Sequence, residues 1–357
     1  MKIERIELRE IHLPLVRPFE TSFGRTFDRN IILVKVYSDG LIGWGECTVG
    51  ENPFYNHEST GSCWQVIRDF AGPMVLGKEI ETPEQVPQLT RQIRGNKMAR
   101  AAVECAIWDL EARRQHKPLW QLLGGTQEVI NCGVSLGLED SDAAMLEKVE
   151  TEVSAGYQRI KIKIKPGRGL RNDQGFGAAI ILNIVMSVDA NSAYTLADTG
   201  SKNWTSSIWL MIEQPLSYDD IDHAALQPHQ TDICLDESIS AWTTRAQGVA
   251  AWLAASSTSN SVASAVTPKR ARFKRIATNA TFRFARRYAR SPAIGRAHNI
   301  HDNHTAGVHA AGRRVGVQTL LSRPEDIIIP PVEVTPQGTI LRPTGVGVWL
   351  RGKRKAN

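Results

Sequence analysis

The chain has 357 residues, 42% hydrophobic and 22% charged, enough material for two domains or one large barrel, and a composition that excludes disordered and fibrous classes. No run of about 18 apolar residues occurs, so no membrane span is expected. The net charge of +6 is concentrated: ten Lys or Arg and no acid lie between Trp242 and Pro292, and the rest of the chain is net negative.

Met1 to Leu15 alternates apolar and charged residues without an uninterrupted apolar stretch, which reads as a strand rather than a signal peptide. Ile31 to Tyr37 (IILVKVY) is a second β-rich run, Asp39-Gly40 a hairpin turn, and LIGWGE the returning strand. Met98 to Gln115 is helical, with Ala99, Val103, Ala106 and Leu110 on one face. Gly124-Gly125 stops the helical stretch that contains WQLL. These residues form a small α+β unit over 1–125. The five cysteines, Cys47, Cys63, Cys105, Cys132 and Cys234, are odd in number and lack paired metal spacing. Reduced thiols and a cytoplasmic location are the expectation.

From Asn131 the rhythm becomes strand, helix, strand. CGVSLGL is a strand, and DSDAAMLEKVETEVSAG a helix with a polar start and Gly156 as its stop. RIKIKI, IVMSVDA, WLMIEQP and ICLDES follow, each short, apolar and ending in polar groups. Lys161, Asp189, Glu213 and Asp236 are separated by 28, 24 and 23 residues, the length of one β/α unit. That repeat favours a (β/α) barrel, in which chemistry sits at the carboxyl ends of successive strands.

Lys161 and Lys163, two apart on a strand, share one face. Alone, alternating lysines describe an edge strand protected by charge, and a single acid at a strand end is commonly a helix cap. The four together, in the order K-x-K, D, E, D, point instead to a site. Three carboxylates at consecutive strand ends suit a hard divalent cation such as Mg²⁺. An ion holding a substrate carboxylate acidifies the α-carbon by stabilising the developing charge. A lysine beside another cation has a depressed pKa and can serve as the base.

After Ser240 the alternation dissolves. It recovers at IGRAHNI, fails over HAAGRRVGVQTLLS, and recovers at PEDIIIPPVEVTPQG. Residues 269–290 mix Lys and Arg with Phe273, Phe282, Phe284 and Tyr288, a composition that could serve nucleic acid. No binding motif frames the block, and no nucleic-acid partner is expected.

The strings GYQRIKIKIKPG, SVDANSAYTLAD, LMIEQPLSYDD, ICLDESI, GRAHNI and PPVEVTPQG resemble the enolase superfamily, in the branch containing o-succinylbenzoate synthase and N-acylamino acid racemase. RPFETSFGRT with GWGEC resembles the capping domain of that family. The resemblance implies a modified (β/α)7β TIM-type barrel with an α+β capping domain. The cap would span 1–125, joined by about 325–357, and the barrel 126–324, disrupted around 241–292 and 301–322. It makes Asp189, Glu213 and Asp236 ligands of Mg²⁺, with Mn²⁺ as the alternative ion. Lys163 becomes the acid/base, tuned by Lys161; Asn191 and Ser135 line the pocket, and Phe23 stands on the capping loop. Glu237 adjoins the third ligand. The implied activity is Mg²⁺-dependent proton abstraction next to a carboxylate of a small-molecule substrate, in a homo-oligomer. Dehydration to o-succinylbenzoate, a menaquinone precursor, is the first reading, and racemisation of N-acylamino acids the alternative.

One family element is missing: a second lysine opposite Lys163, in a string like NIKPGRVGG. Lys269 in TPKRAR lacks the apolar strand character that would make it a substitute. Synonymous codons can be chosen for Ala254–Thr267 that, read two bases on, give GGVVNFKLGRVGGH, with the lysine codon across Ser259 and Asn260. Similar shifts over Lys202–Trp209, HAAGRRVGVQTLLS and GVWLRGKRK also give family-like strings. Compensating frame errors in the gene therefore explain the basic block, and an inactive frame-shifted pseudoenzyme is the reading of another class.

Overall fold

Long β-hairpins separated by tight turns form the first layer. The computed structural model describes residues 1–168, 184–200, 209–219, 221–226, 231–238, 294, 298 and 334–348. The basic block, most of the frame-shifted segments and Ser259-Asn260 lie outside them. Strands β1 (Arg5–Thr21), β2 (Gly24–Ser38) and β3 (Leu41–Cys47) make an antiparallel sheet in chain order. Asp39 and Gly40 both take positive φ, 51° and 73°, the geometry of a two-residue primed turn between twisted strands.

The helix Lys97–Arg114 packs across this sheet. Its small residues set the approach: a Cβ on Gly45 would stand 2.1 Å from the carbonyl of Ala102, and one on Gly43 2.1 Å from that of Ala106. Its first turn has no local cap. Glu58 supplies one, its carboxylate accepting from the amides of Met98 at 2.9 Å and Ala99 at 3.1 Å, where negative charge suits the helix dipole. A second helical stretch, begun at Thr60–Val66 behind a Ser59–Ser62 capping box, closes the core formed by Ile32, Val34, Val36, Val103 and Leu110. Buried Asp109 joins the layers. It accepts from the Trp44 amide, the Val348 amide and Arg113 at 2.9, 2.7 and 2.9 Å. Buried His298 reaches the Trp44 carbonyl at 2.9 Å, a second link between this unit and the later chain.

The second layer is a five-stranded parallel sheet in chain order: β5 (Val134–Leu136), β6 (Arg159–Lys163), β7 (Val185–Asp189), β8 (Trp209–Glu213) and β9 (Asp232–Cys234). A short strand β4 (Val129–Asn131) pairs antiparallel with β10 (Thr339–Leu341), bringing the late chain beside the start of this unit. Between β5 and β6 runs the helix Asp142–Ser154, capped by Ser141 accepting from the Ala144 amide and ended before Gly156, whose φ is 98°. Its Met145 and Val149 pack on Ile160 and Ile162, both fully buried on one face of β6. Lys161 and Lys163 therefore take the other face. Strand β6 is flanked on both sides, so the alternating lysines do not protect an edge. None of the described helices is long and apolar enough to cross a membrane.

Candidate active site

Parallel register brings the chemistry to one level. Lys163 on β6 is the direct partner of Asp189 on β7, Asp189 that of Glu213 on β8, and Glu213 that of Cys234 on β9. Asp236 lies two residues beyond Cys234, past the end of its strand. Ser135 is level with Lys161, and its buried hydroxyl oxygen has no hydrogen-bond partner among the described residues.

The ammonium of Lys161 bridges two acids, 2.9 Å from Asp189 and 3.0 and 3.1 Å from the two oxygens of Glu213. Lys163 donates to Asp189 at 2.6 Å and to the side-chain oxygen of Asn191. Burial and ion pairing compete at each group. Asp189 would rise on burial, but Lys161 and Lys163 hold it well below the usual carboxylate range. Lys161, despite its own burial, is raised well above the ordinary lysine value by Asp189 and Glu213. Lys163 moves the other way: burial lowers it, and the neighbouring Lys161 cation outweighs part of the pull from Asp189. Glu213 is pushed up to about 7 by burial, with Asp189 and Asp236 adding to it against Lys161. Glu237 is pushed up to about 8 by burial and by Asp236 and Asp189.

The chain turns sharply at these strand ends. Asn191, Ser192 and Gln214 all have positive φ, at 43°, 66° and 40°. Asn tolerates this region, whereas Gln pays strain there, offset by its side-chain bonds. Buried Gln214 accepts from the amides of Asp236 at 2.9 Å and Ser238 at 3.2 Å, and donates to the Ser238 hydroxyl at 2.7 Å. It thereby fixes the segment that carries the third acid. The Asn191 amide nitrogen donates to Asp189 at 3.0 Å, and its side chain donates to Glu237 at 2.9 Å.

The antiparallel unit closes over these strand ends. Ser22 donates to the Asn191 carbonyl at 3.0 Å, and the Tyr55 hydroxyl donates to Asp236 at 3.3 Å. Phe23 stands beside Tyr55, ring centres 6.1 Å apart. Glu20, nearly buried, receives Arg25 at 2.6 Å, Arg168 at 2.9 Å and Lys165 at 3.2 Å, tying the hairpin to the loop after β6. Sequence analysis assigns no role to Tyr55, Glu20 or Gln214, although Glu20 lies within RPFETSFGRT and Gln214 within LMIEQPLSYDD; Tyr55 lies outside the strings that carry the resemblance.

The donor set is all carboxylate, the chemistry a hard divalent cation takes. Burial raises Glu213, and Asp189 and Asp236 add to that rise, so a cation placed among these carboxylates would favour their charged forms. As the side chains stand, the Lys161 ammonium lies between Asp189 and Glu213, and among the described residues no three His, Cys, Asp or Glu are gathered into a ready metal site. Asp189, Glu213 and Asp236 thus fit an ion chemically, with the Lys161 ammonium between the first two.

Residues 5–124 match the family model of the mandelate racemase / muconate lactonizing enzyme N-terminal domain. Over 243 residues the chain is 42% identical to an o-succinylbenzoate synthase of Geobacillus kaustophilus, covering 67% of this chain and 64% of that protein. It is 41% identical over 242 residues to an N-succinylamino acid racemase of Thermus thermophilus, covering 67% and 65%. The matched stretch therefore spans less than two thirds of either relative's length. The crystal structure of an enolase superfamily member from Enterococcus faecalis superposes with a TM-score of 0.77 at 30% identity, covering 99% of this chain and 95% of that one. The fold is a TIM-type barrel with an α+β capping domain, and the chain belongs to the enolase superfamily, in the branch of the o-succinylbenzoate synthases and N-succinylamino acid racemases.

Proposed function

We propose that this chain removes the proton next to a substrate carboxylate, with Lys163 as the base, and dehydrates a cyclohexadiene carboxylate to o-succinylbenzoate. The observation that carries the reading is the opposite treatment of two lysines on one strand face. Lys161 is held cationic by two acids, while burial and that neighbouring charge lower Lys163 toward a neutral amine able to accept a proton. Asp189, Glu213 and Asp236 would hold a divalent ion, Mg²⁺ in the first instance, as membership of the superfamily implies a metal. A bound Mg²⁺ would supply positive charge against the negative charge that develops on the carboxylate. Lys163 takes the proton and can return it to the departing hydroxyl on the same face, so that water leaves. Ser135, level with Lys161, Asn191, bonded to Lys163, and Phe23, beside Tyr55 of the cap, would contact the substrate.

Racemisation of an N-succinylamino acid is the second reading, supported by the Thermus relative's name. Dehydration is preferred because one base on one face suffices, whereas racemisation needs a base on each face. The test is to assay the purified chain for both reactions with and without Mg²⁺, alongside calorimetric Mg²⁺ titration of wild type and Glu213→Gln. Metal-dependent dehydration and a loss of Mg²⁺ affinity in the variant are expected. Unchanged affinity in Glu213→Gln would overturn the assignment of the ligands, and racemisation without dehydration would overturn the choice of reaction.

A further inference from the structure

Asn191 sits between two side chains with opposite demands. Lys163 can only donate, and it donates to the Asn191 side-chain oxygen. Glu237 accepts from the Asn191 side-chain nitrogen at 2.9 Å. The carboxamide therefore has one satisfactory orientation, oxygen toward the lysine and nitrogen toward the acid. Its backbone is pinned as well, by the Asp189 carboxylate on its N–H and by Ser22 of the cap on its carbonyl. Among the described residues the other oxygen of Glu237 is buried with no hydrogen-bond partner, a cost that its local contacts do not offset.

We infer that Glu237 is a positioning residue: it anchors the Asn191 carboxamide, which in turn holds the Lys163 amine in place. The inference rests on the reading of Lys163 as the base, but it makes a claim about geometry that can be read without turnover. Glu237 bonds to Asn191 and acts on Lys163 directly only through its charge, so a variant that keeps an acceptor without the charge separates the two routes.

The test uses the full chain and competitive acetylation of its lysines by acetic anhydride, quantified by mass spectrometry. Glu237→Met keeps the side-chain length and removes the acceptor; Glu237→Gln retains one. In Glu237→Met the labelling rate of Lys163 is expected to rise by roughly fivefold, the worth of one hydrogen bond, with Lys161 unchanged. Glu237→Gln should stay near wild type. Asn191→Ala should raise Lys163 labelling by a similar factor, and adding Glu237→Met to it should raise it no further. The melting temperature of Glu237→Met should be at or above that of wild type, because an unpartnered buried carboxyl oxygen is lost. Wild-type labelling of Lys163 in Glu237→Met, or effects that multiply in the double variant, would overturn the inference. Absence of dehydratase and racemase activity with the labelling pattern intact would instead refute the proposed function and leave the positioning role standing.

Discussion

Replacing Lys161 by Met is expected to destabilise the metal-free protein by about 3 kcal/mol. The ammonium stands 2.9 Å from Asp189 and 3.0 Å from Glu213, whose side chains are 2% and 10% exposed. Removing one partner of a buried ion pair costs about 3–5 kcal/mol, because the charge left behind stays out of water. The Lys161 side chain keeps 27% exposure, which places the loss at the lower end. Without Lys161, Glu213 loses the cation that offsets its burial, and its value, already about 7, rises further above that of the unfolded chain. A carboxyl raised in this way destabilises the fold progressively as pH climbs through its folded value, so the penalty should be larger at about pH 8 than at about pH 6. Mg²⁺ at about one hundred times its dissociation constant would add about 2.7 kcal/mol to any protein that binds it only when folded. The variant should gain more than wild type at equal Mg²⁺, since the ion no longer competes with an internal cation. Urea unfolding in chelator and at rising Mg²⁺, at both pH values, measures all three quantities. A loss below about 1 kcal/mol, typical of an exposed pair, or an equal Mg²⁺ gain in both proteins, would refute the reasoning.

Glu20 lies below its ordinary 4.5 because Arg25, Lys165 and Arg168 prevail over the upward push of burial. Its contribution is therefore complete above pH 4.5 and lost as pH falls through the folded value, and Glu20→Gln should remove that acid-sensitive increment; parallel stability curves for the two proteins would contradict this. Tyr55→Phe removes the hydroxyl that reaches Asp236 from the cap at 3.3 Å, and kcat/KM should fall by roughly fivefold with the melting temperature almost unchanged. Gly45→Ala would place a methyl group 2.1 Å from the Ala102 carbonyl, and calorimetry should show a loss of at least about 1–3 kcal/mol as sheet and helix are forced apart.

What could be read in the sequence was what repeats locally. The turn at Asp39-Gly40, the helix that begins at Lys97 and the strand ends carrying Lys163, Asp189 and Glu213 follow from period and unit spacing, and the residues lie where those periods put them. Asp236 was harder to place, because its strand ends at Cys234 and the acid is carried by a segment that Gln214 holds from the neighbouring strand. Tyr55 reaches Asp236 across 181 positions, and Glu20 meets Lys165 and Arg168 across 145 and 148. No periodicity records such contacts; they exist only once the cap is docked. The helical stretch from Thr60 was missed for a different reason, since its polar start in Ser59 and Ser62 reads as loop until the capping box is seen.

If Lys163 takes a proton from the carbon next to a substrate carboxylate, that carbon must exchange its hydrogen with solvent. Proton NMR in deuterated water, with an N-succinylamino acid and Mg²⁺, follows the exchange of the α-proton. Wild type is expected to wash out the signal of the enantiomer whose α-proton faces Lys163, and Lys163→Ala to slow that loss by about 10²–10⁴-fold. Exchange at the wild-type rate in Lys163→Ala, with both proteins folded by circular dichroism, would contradict the account.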